Sequence, residues 1–118
     1  MDRLPSRRVS GRGNGARNGR RARRRILGDV RRLTRRVLGG YAADVSLFGS
    51  WATGVPDRAS DIDIAVDPHA PLPPDLLAML REQLEERHIP YRVEVVDLRD
   101  ADRWFRHRVI RSGIRWTD

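Results

Sequence analysis

The sequence predicts a small α+β (α/β) domain in which short strands alternate with helices. Three runs alternate apolar and polar residues, which is the period of a half-buried strand, and the segments between them repeat apolar residues every three or four positions. Glycine, proline or aspartate stands at most of the boundaries between these segments. With 118 residues, the chain has room for one such domain.

The first half of the chain contains a helix followed by two strands. Four apolar residues recur at helical spacing and predict a helix that ends at the Gly39-Gly40 pair: Ile26, Val30, Leu33 and Val37. The elements expected after it are a strand, a short helix, a turn and a second strand, over residues 44–48, 50–53, 54–59 and 61–66.

The second half of the chain adds two helices and a third strand. Asp75 is a suitable N-cap for a helix that stops before Pro90 and carries an apolar stripe of leucines: Leu76, Leu77, Leu80 and Leu84. Residues 91–98 read as the third strand. Either Asp100 or Asp102 begins a last helix, which ends near the last glycine of the chain.

Residues 1–25 form an Arg/Gly-rich segment that we expect to be disordered, which leaves residues 26–118 as the folded domain. Residues 1–36 hold 14 Arg against two Asp, a balance of +12, whereas residues 37–118 hold 10 Arg against 14 acidic residues, a balance of −4. The first 25 residues have almost no large apolar groups to offset the entropy lost on folding. Two interpretations stay open, a weak nucleic-acid-binding arm and a solvated tail, and we favour the tail.

The composition excludes several classes of site. The chain has no cysteine, so neither a disulfide framework nor a thiolate metal site can form. No window approaches the roughly 18 apolar residues that a membrane span needs, and the Arg-rich start lacks the apolar segment of a signal peptide. We therefore expect a cytoplasmic protein with no membrane partner.

Two carboxylates on the second strand predict a metal site. Asp61 and Asp63 lie two positions apart and project to the same face, while Ile62 and Ile64 project into the core. Two like charges held this close repel each other unless a cation lies between them. Mg²⁺ is the natural candidate, because it takes oxygen ligands and usually binds one or two carboxylates together with substrate phosphates.

The turn before the short helix predicts a phosphate site. Gly49 lets the backbone approach a ligand closely, and Ser50 offers a hydroxyl beside the free N–H groups that begin a helix. Taken alone, Gly-Ser is more often a tight turn, and Asp-x-Asp is more often a solvated acidic edge. Their combination, with Asp61 eleven residues after Ser50, favours a site that holds phosphates and a metal together.

The third strand supplies a further carboxylate. If Val93 and Val95 face the core, Glu94 faces the side of Asp61 and Asp63, whereas Asp97 has the opposite parity. We therefore predict Glu94 as the third metal ligand and as the base that takes a proton from an attacking hydroxyl. The alternative for Glu94 is a surface charge paired with Arg92 or Arg58, and Asp97 is interpreted as a strand-end or turn residue.

The sequence resembles the DNA polymerase β-like nucleotidyltransferases, and specifically their minimal nucleotidyltransferase branch. The resemblance rests on Phe-Gly-Ser at residues 48–50 and Asp-Ile-Asp at residues 61–63, and it extends over about residues 26–118. It implies the palm fold of that superfamily, a small mixed β-sheet flanked by helices. It also implies that Gly49 and Ser50 bind the triphosphate of ATP.

The resemblance further implies a catalytic chemistry and a partner. Asp61 and Asp63, with Glu94 in the place where this family commonly has Asp, would hold two Mg²⁺ ions. Many members of the branch are antitoxins that accompany a HEPN ribonuclease toxin, and some transfer AMP from ATP to a hydroxyl of that toxin. The alternative is a non-catalytic antitoxin that occludes the toxin, but an idle site has no physical need for two crowded carboxylates.

Overall fold

The computed structural model describes residues 3–54 and 60–117 of the chain, with side chains from residue 19 onward. Two compact units are distinguished, residues 1–30 and residues 31–118. Within the described residues the elements follow one another in this order: α1 Arg3–Leu38, β1 Ala43–Phe48, α2 Ser50–Thr53, β2 Ile62–Pro68, α3 Leu76–Glu86, β3 Val93–Asp97, α4 Arg103–Ser112 and β4 Ile114–Arg115.

The first unit consists of the N-terminal part of α1. The helix begins at Arg3, whereas the sequence predicts a disordered segment over residues 1–25 and a helix only from Ile26. Disorder was expected because the segment has almost no large apolar groups to bury, and each glycine in a helix interior adds a cost of about 1 kcal/mol relative to alanine. The predicted division of the chain after residue 25 stays a prediction. The end of α1 at Leu38, directly before the glycine pair, agrees with the sequence.

The second unit is built on a four-stranded mixed sheet in the order β3-β2-β1-β4. β1 is antiparallel to both β2 and β4, and β2 is parallel to β3, so α3 forms the crossover between these two parallel strands. The predicted fold class, a small mixed sheet flanked by helices, is confirmed. The two-residue strand β4 was not predicted, because two residues are too few to show a strand period.

The two faces of the sheet are covered to different extents. One face is apolar and fully buried, together with the leucines of α3: Val45, Leu47, Ile62, Ile64, Val66, Leu77, Leu80 and Leu84. On the other face, Ala65 of β2 packs beside Phe48 and Val96 against Phe105 and Val109 of α4. Because α4 covers only this part of the second face, the polar end of β2 is left accessible.

Helix ends and loops mostly follow the sequence. The Asp102 carboxylate accepts a hydrogen bond of 2.8 Å from the Phe105 N–H, so Asp102 rather than Asp100 caps α4. Asp75 occupies the predicted N-cap of α3, but its side chain makes no capping hydrogen bond. Of the predicted turn over residues 54–59, only Gly54 lies within the described residues, and it adopts a positive φ of 83°.

β3 forms one edge of the sheet, and a side chain covers part of that edge. The Ile62 N–H donates a hydrogen bond to the Arg92 carbonyl at 2.8 Å. The backbone N–H and C=O groups of the even-numbered residues of β3 therefore point toward β2, and those of the odd-numbered residues point away from it. The carbonyl of Val95 therefore points outward, where Nη2 of Arg81 donates to it at 2.9 Å. Arg81 thus satisfies a backbone group that no strand pairs.

The described helices lack the features of a membrane-spanning segment. Across the residues that the structure describes, none combines the length and the apolar character that a membrane crossing requires.

Deleting residues 1–25 is expected to leave the melting temperature of the protein nearly unchanged, because this segment lacks the periodic apolar residues of a core. Thermal melts followed by far-ultraviolet circular dichroism compare the full chain with the shortened one. The same spectra report whether residues 3–25 are helical in solution, since the deletion then removes helical signal. A melting temperature lower by more than a few degrees would instead show that the segment stabilises the fold.

Candidate active site

Three carboxylates meet at the open end of the second sheet face. Asp63 lies on β2, Glu94 is its register partner on the parallel strand β3, and Asp61 immediately precedes β2 with the same parity as Asp63. Oxygen atoms of all three side chains lie within 4.8 Å of one another. The structure therefore brings together the three residues that the sequence predicts as metal ligands.

The turn that joins β1 to α2 lies directly against this cluster. Gly49 has a φ of 75°, which a residue with a side chain rarely adopts. A β-carbon placed at Gly49 would also collide with Oδ2 of Asp63. The positive φ favours glycine at this position, and the close approach adds to that preference because a β-carbon would force the Asp63 carboxylate to shift. Ser50 follows as the first residue of α2, so the predicted phosphate-binding pair lies beside the carboxylates.

Trp51 holds the backbone segment that leads into β2. Its side chain is only 5% exposed, its ring packs edge-to-face on Tyr91 with centroids 4.8 Å apart, and its indole N–H donates to the Ser60 carbonyl at 3.2 Å. Ser60 directly precedes Asp61. Trp51 is thus a packing residue that holds the segment before the carboxylates, and its ring is not free to cover a ligand.

The crowding of the carboxylates has an electrostatic consequence. The pKa of Asp63 is raised above its ordinary value of 3.8, first by burial and then by the negative charges of Glu94 and Asp61. None of the three carboxylates forms an ion pair within the described residues. Arg92 does not pair with Glu94, and Arg58, the other predicted partner, lies outside the described residues. Among the residues that the structure describes, the cluster is therefore a negative site without a neutralising partner.

Asp97 has a different environment, as its strand parity predicts. It binds Arg99 through the backbone N–H at 2.9 Å and through Nη2 at 2.7 Å. These hydrogen bonds hold the pKa of Asp97 below its ordinary value. The turn after β3 thus uses Asp97 as a structural residue, away from the carboxylate cluster.

A second acidic cluster lies at the other end of the sheet and is already neutralised. Oxygen or nitrogen atoms of Asp44, Asp67 and His69 come within 4.8 Å of one another. However, Arg115 pairs with Asp44 at 2.9 Å and Arg106 pairs with Asp67 at 2.7 Å. The His69 hydrogen bond is the main cause of a lowered pKa at Asp44. These arginines supply the positive charge that a metal ion would otherwise supply.

The sequence was compared with protein families and with known proteins. Residues 42–116 match the family described as Polymerase beta, Nucleotidyltransferase. The chain belongs to this family. The matched segment runs from the residue before β1 to the residue after β4 and contains the glycine turn and all three carboxylates. No curated protein matches the chain significantly.

Several solved structures resemble this nucleotidyltransferase. A mutant of the toxin–antitoxin MntA-HpeT has 27% identity and a TM-score of 0.62, over 76% of this chain and 71% of the other. A toxin–antitoxin with AMP-PNP has 28% identity and a TM-score of 0.59, over 74% and 72% of the two chains. These matches confirm the predicted resemblance to the antitoxins of the minimal nucleotidyltransferase branch.

A more distant structure shows the same fold. It contains a tri-AMPylated Shewanella oneidensis HEPN toxin in complex with its MNT antitoxin. The identity is 24% and the TM-score 0.58, over 80% of this chain and 71% of the other.

One basic residue of the nucleotidyltransferase lies beside the glycine turn and was not predicted from the sequence. Arg108 of α4 lines a cavity together with Gly49 and Thr53 of the turn. It stands among many arginines in the sequence, so neither its type nor its spacing distinguishes it. Only the packing of α4 against Phe48 places it beside the turn.

Asp63→Asn is expected to stabilise the metal-free protein at neutral pH. Because the folded pKa of Asp63 is raised, its contribution to stability is complete below 3.8 and is lost as the pH rises through the folded pKa. The excess stability of the Asn variant over the wild type should therefore grow from acidic to neutral pH. Denaturant unfolding in the presence of a chelator measures it at each pH.

The matched control for this titration is Asp75→Asn. Asp75 is exposed and its side chain makes no capping hydrogen bond, so its replacement should not stabilise the metal-free protein at neutral pH. A stability difference for Asp63→Asn that stayed constant across the pH range would contradict the electrostatic explanation.

Glu94→Gln is expected to lower nucleotidyl transfer by roughly a hundredfold or more, the usual contribution of a general base, without lowering the melting temperature. The exposed side chain of Glu94 keeps its shape in this variant. Asp97→Asn should lose the Arg99 ion pair, with a mild loss of stability and nearly full transfer. A transfer assay beside a thermal melt ranks the two variants, and the reverse ranking would show that Asp97 is the third carboxylate.

Proposed function

We propose that this protein is a Mg²⁺-dependent nucleotidyltransferase that moves AMP from ATP to a hydroxyl of a cognate HEPN-type toxin and so inactivates it. The observation that carries the proposal is the convergence of Asp61, Asp63 and Glu94 in front of the Gly49 turn. A negative cluster that binds cations, placed directly against a turn that can accept phosphates, suits a metal–nucleotide substrate. The related complexes with AMP-PNP and with an AMPylated toxin support the choice of AMP and of the partner.

The donor set of the cluster fits Mg²⁺. Three carboxylates offer only oxygen ligands. Burial, and then the negative charges of Glu94 and Asp61, raise the pKa of Asp63, and a divalent cation would relieve that repulsion. Asp61, Asp63 and Glu94 would hold the metal, which we expect as two ions. When bound, Mg²⁺ supplies neutralisation of the charge that develops on the attacking and leaving oxygens.

Different residues on the two sides of Asp63 act on the two reactants: Glu94 on the acceptor hydroxyl, and Ser50 on the phosphates that leave. The acceptor hydroxyl oxygen forms a bond to the α-phosphorus of ATP, its proton passes to the carboxylate of Glu94, and the bond to the β-phosphate oxygen breaks. Pyrophosphate leaves. Ser50, with the backbone N–H groups that begin α2, binds the phosphates that depart. Holding both reactants in line is the main contribution of such a site.

The proposed transfer needs an acceptor hydroxyl from another molecule, and the surface beside Glu94 has room for it. A groove of about 570 Å³ runs between α3 and β3 and is lined by Arg81, Tyr91, Arg92 and Glu94, among others. A partner protein that carries its own hydroxyl residue into this groove meets that need.

Incubation with ATP, Mg²⁺ and the toxin tests the proposal. Intact-protein mass spectrometry should show the addition of one or more AMP groups to the toxin. The Asp61→Ala/Asp63→Ala double variant should add none, because both metal ligands are removed. The control is Asp75→Ala, which replaces an exposed aspartate outside the cluster and should retain transfer.

The same experiment separates transfer from simple occlusion. If the double variant still neutralised the toxin and neither protein added mass to it, the protein would act as a binding antitoxin and the proposed enzyme activity would be wrong. If CTP, GTP or UTP replaced ATP equally well, the result would support nucleotidyl transfer and contradict the proposed preference for adenine.

A further inference from the structure

The surface on the other side of the Gly49 turn contains a small cavity. It has a volume of about 280 Å³ and lies between the turn and α4, with Gly49 and Thr53 on one wall and Phe105, Arg108 and Ser112 on the other. The cavity thus adjoins the residue that touches Asp63. It is separate from the groove beside Glu94, because the two share no lining residue.

Arg108 is the polar group of this cavity that remains available to a ligand. The Thr53 hydroxyl donates to the Ser50 carbonyl at 2.9 Å, and the Ser112 hydroxyl donates to the Arg108 carbonyl at 2.6 Å. The guanidinium of Arg108 is exposed and forms no ion pair with any of the described residues. By contrast, Arg106 on the same helix is held by Asp67.

The register of the sheet shows on which side of the carboxylates the cavity lies. Glu94, Asp63 and Phe48 are partners on β3, β2 and β1, so they form one row across three neighbouring strands, roughly 4.8 Å apart. Gly49 follows Phe48 at the end of that row. Glu94 therefore lies at one end of the row, Asp63 in the middle, and the Gly49 turn with its cavity at the other end.

An in-line displacement at phosphorus needs the attacking and leaving oxygens on opposite sides. With the acceptor hydroxyl at Glu94 and the α-phosphorus near Asp63, the leaving pyrophosphate falls on the side of Gly49 and the cavity. A planar guanidinium presents several N–H donors to phosphate oxygens and stays charged at all relevant pH values. We propose that Arg108 binds the terminal phosphates of the nucleotide and fixes the direction in which pyrophosphate leaves.

This inference rests on the proposed function, and a binding experiment tests it without any transfer. Titration calorimetry with the full chain and Mg²⁺ compares three ligands: a non-hydrolysable ATP analogue, inorganic tripolyphosphate and AMP. Arg108→Gln should weaken the first two by about ten- to a hundredfold, the usual worth of a charged hydrogen bond, and leave AMP within about twofold. Arg108→Lys should recover part of the affinity, because it restores the charge without the planar fork.

Arg111→Gln is the matched control. Arg111 is exposed on the same helix, one turn further on, and does not line the cavity. It should weaken the ATP analogue by less than about twofold, which separates a local contact from the general charge of α4. A thermal melt of each variant confirms that the fold is retained.

Each outcome decides a different statement. An equal loss for AMP and for the ATP analogue in Arg108→Gln would place Arg108 at the nucleoside, and no loss at all would place it outside the site; either result overturns the inference. A selective loss with no AMP added to any partner would support Arg108 and contradict the proposed transfer. A wild-type chain that bound none of the three ligands would contradict both.

Discussion

The site depends on the close approach of one carboxylate to one backbone turn. Oδ2 of Asp63 occupies the space that a β-carbon at Gly49 would need, so any other residue at this position would force the Asp63 carboxylate to shift away from the turn. The positive φ of Gly49 turns the chain from β1 into α2 at the same point. As a result, the negative cluster and the turn that we propose for phosphate binding lie directly against each other.

The rest of the second unit holds this arrangement in place. The buried face of the sheet fixes the register of β1, β2 and β3, since a shift by one residue would turn Ile62 and Ile64 outward and Asp63 inward. Trp51 holds the backbone segment before Asp61 in place, because its indole N–H donates a hydrogen bond to the Ser60 carbonyl. The packing of the fold therefore holds three like charges together. The pKa of Asp63 is raised as a consequence, first by burial and then by repulsion from the other two carboxylates.

The sequence predicted the parts of the site that local rules control. Strand parity alone placed Asp61, Asp63 and Glu94 on one face and assigned Asp97 to a turn, because side chains on a strand alternate without exception unless a bulge intervenes. Arg108 could not be predicted, since its position depends on how α4 packs across the sheet, a contact between residues about sixty positions apart. The helix over residues 3–25 also escaped prediction, because its glycines and arginines have no apolar stripe.

The guanidinium that Arg81 places on the Val95 carbonyl has a consequence for the behaviour of the chain in solution. An open strand edge offers unpaired N–H and C=O groups to any other strand, and edge-to-edge pairing of copies is a common route to aggregation. In β3 one outward carbonyl is already satisfied, and the group that satisfies it carries a positive charge. A second copy that approached edge to edge would meet that charge with an identical one, so the edge beside Glu94 admits a partner of different chemistry more readily than another copy of itself.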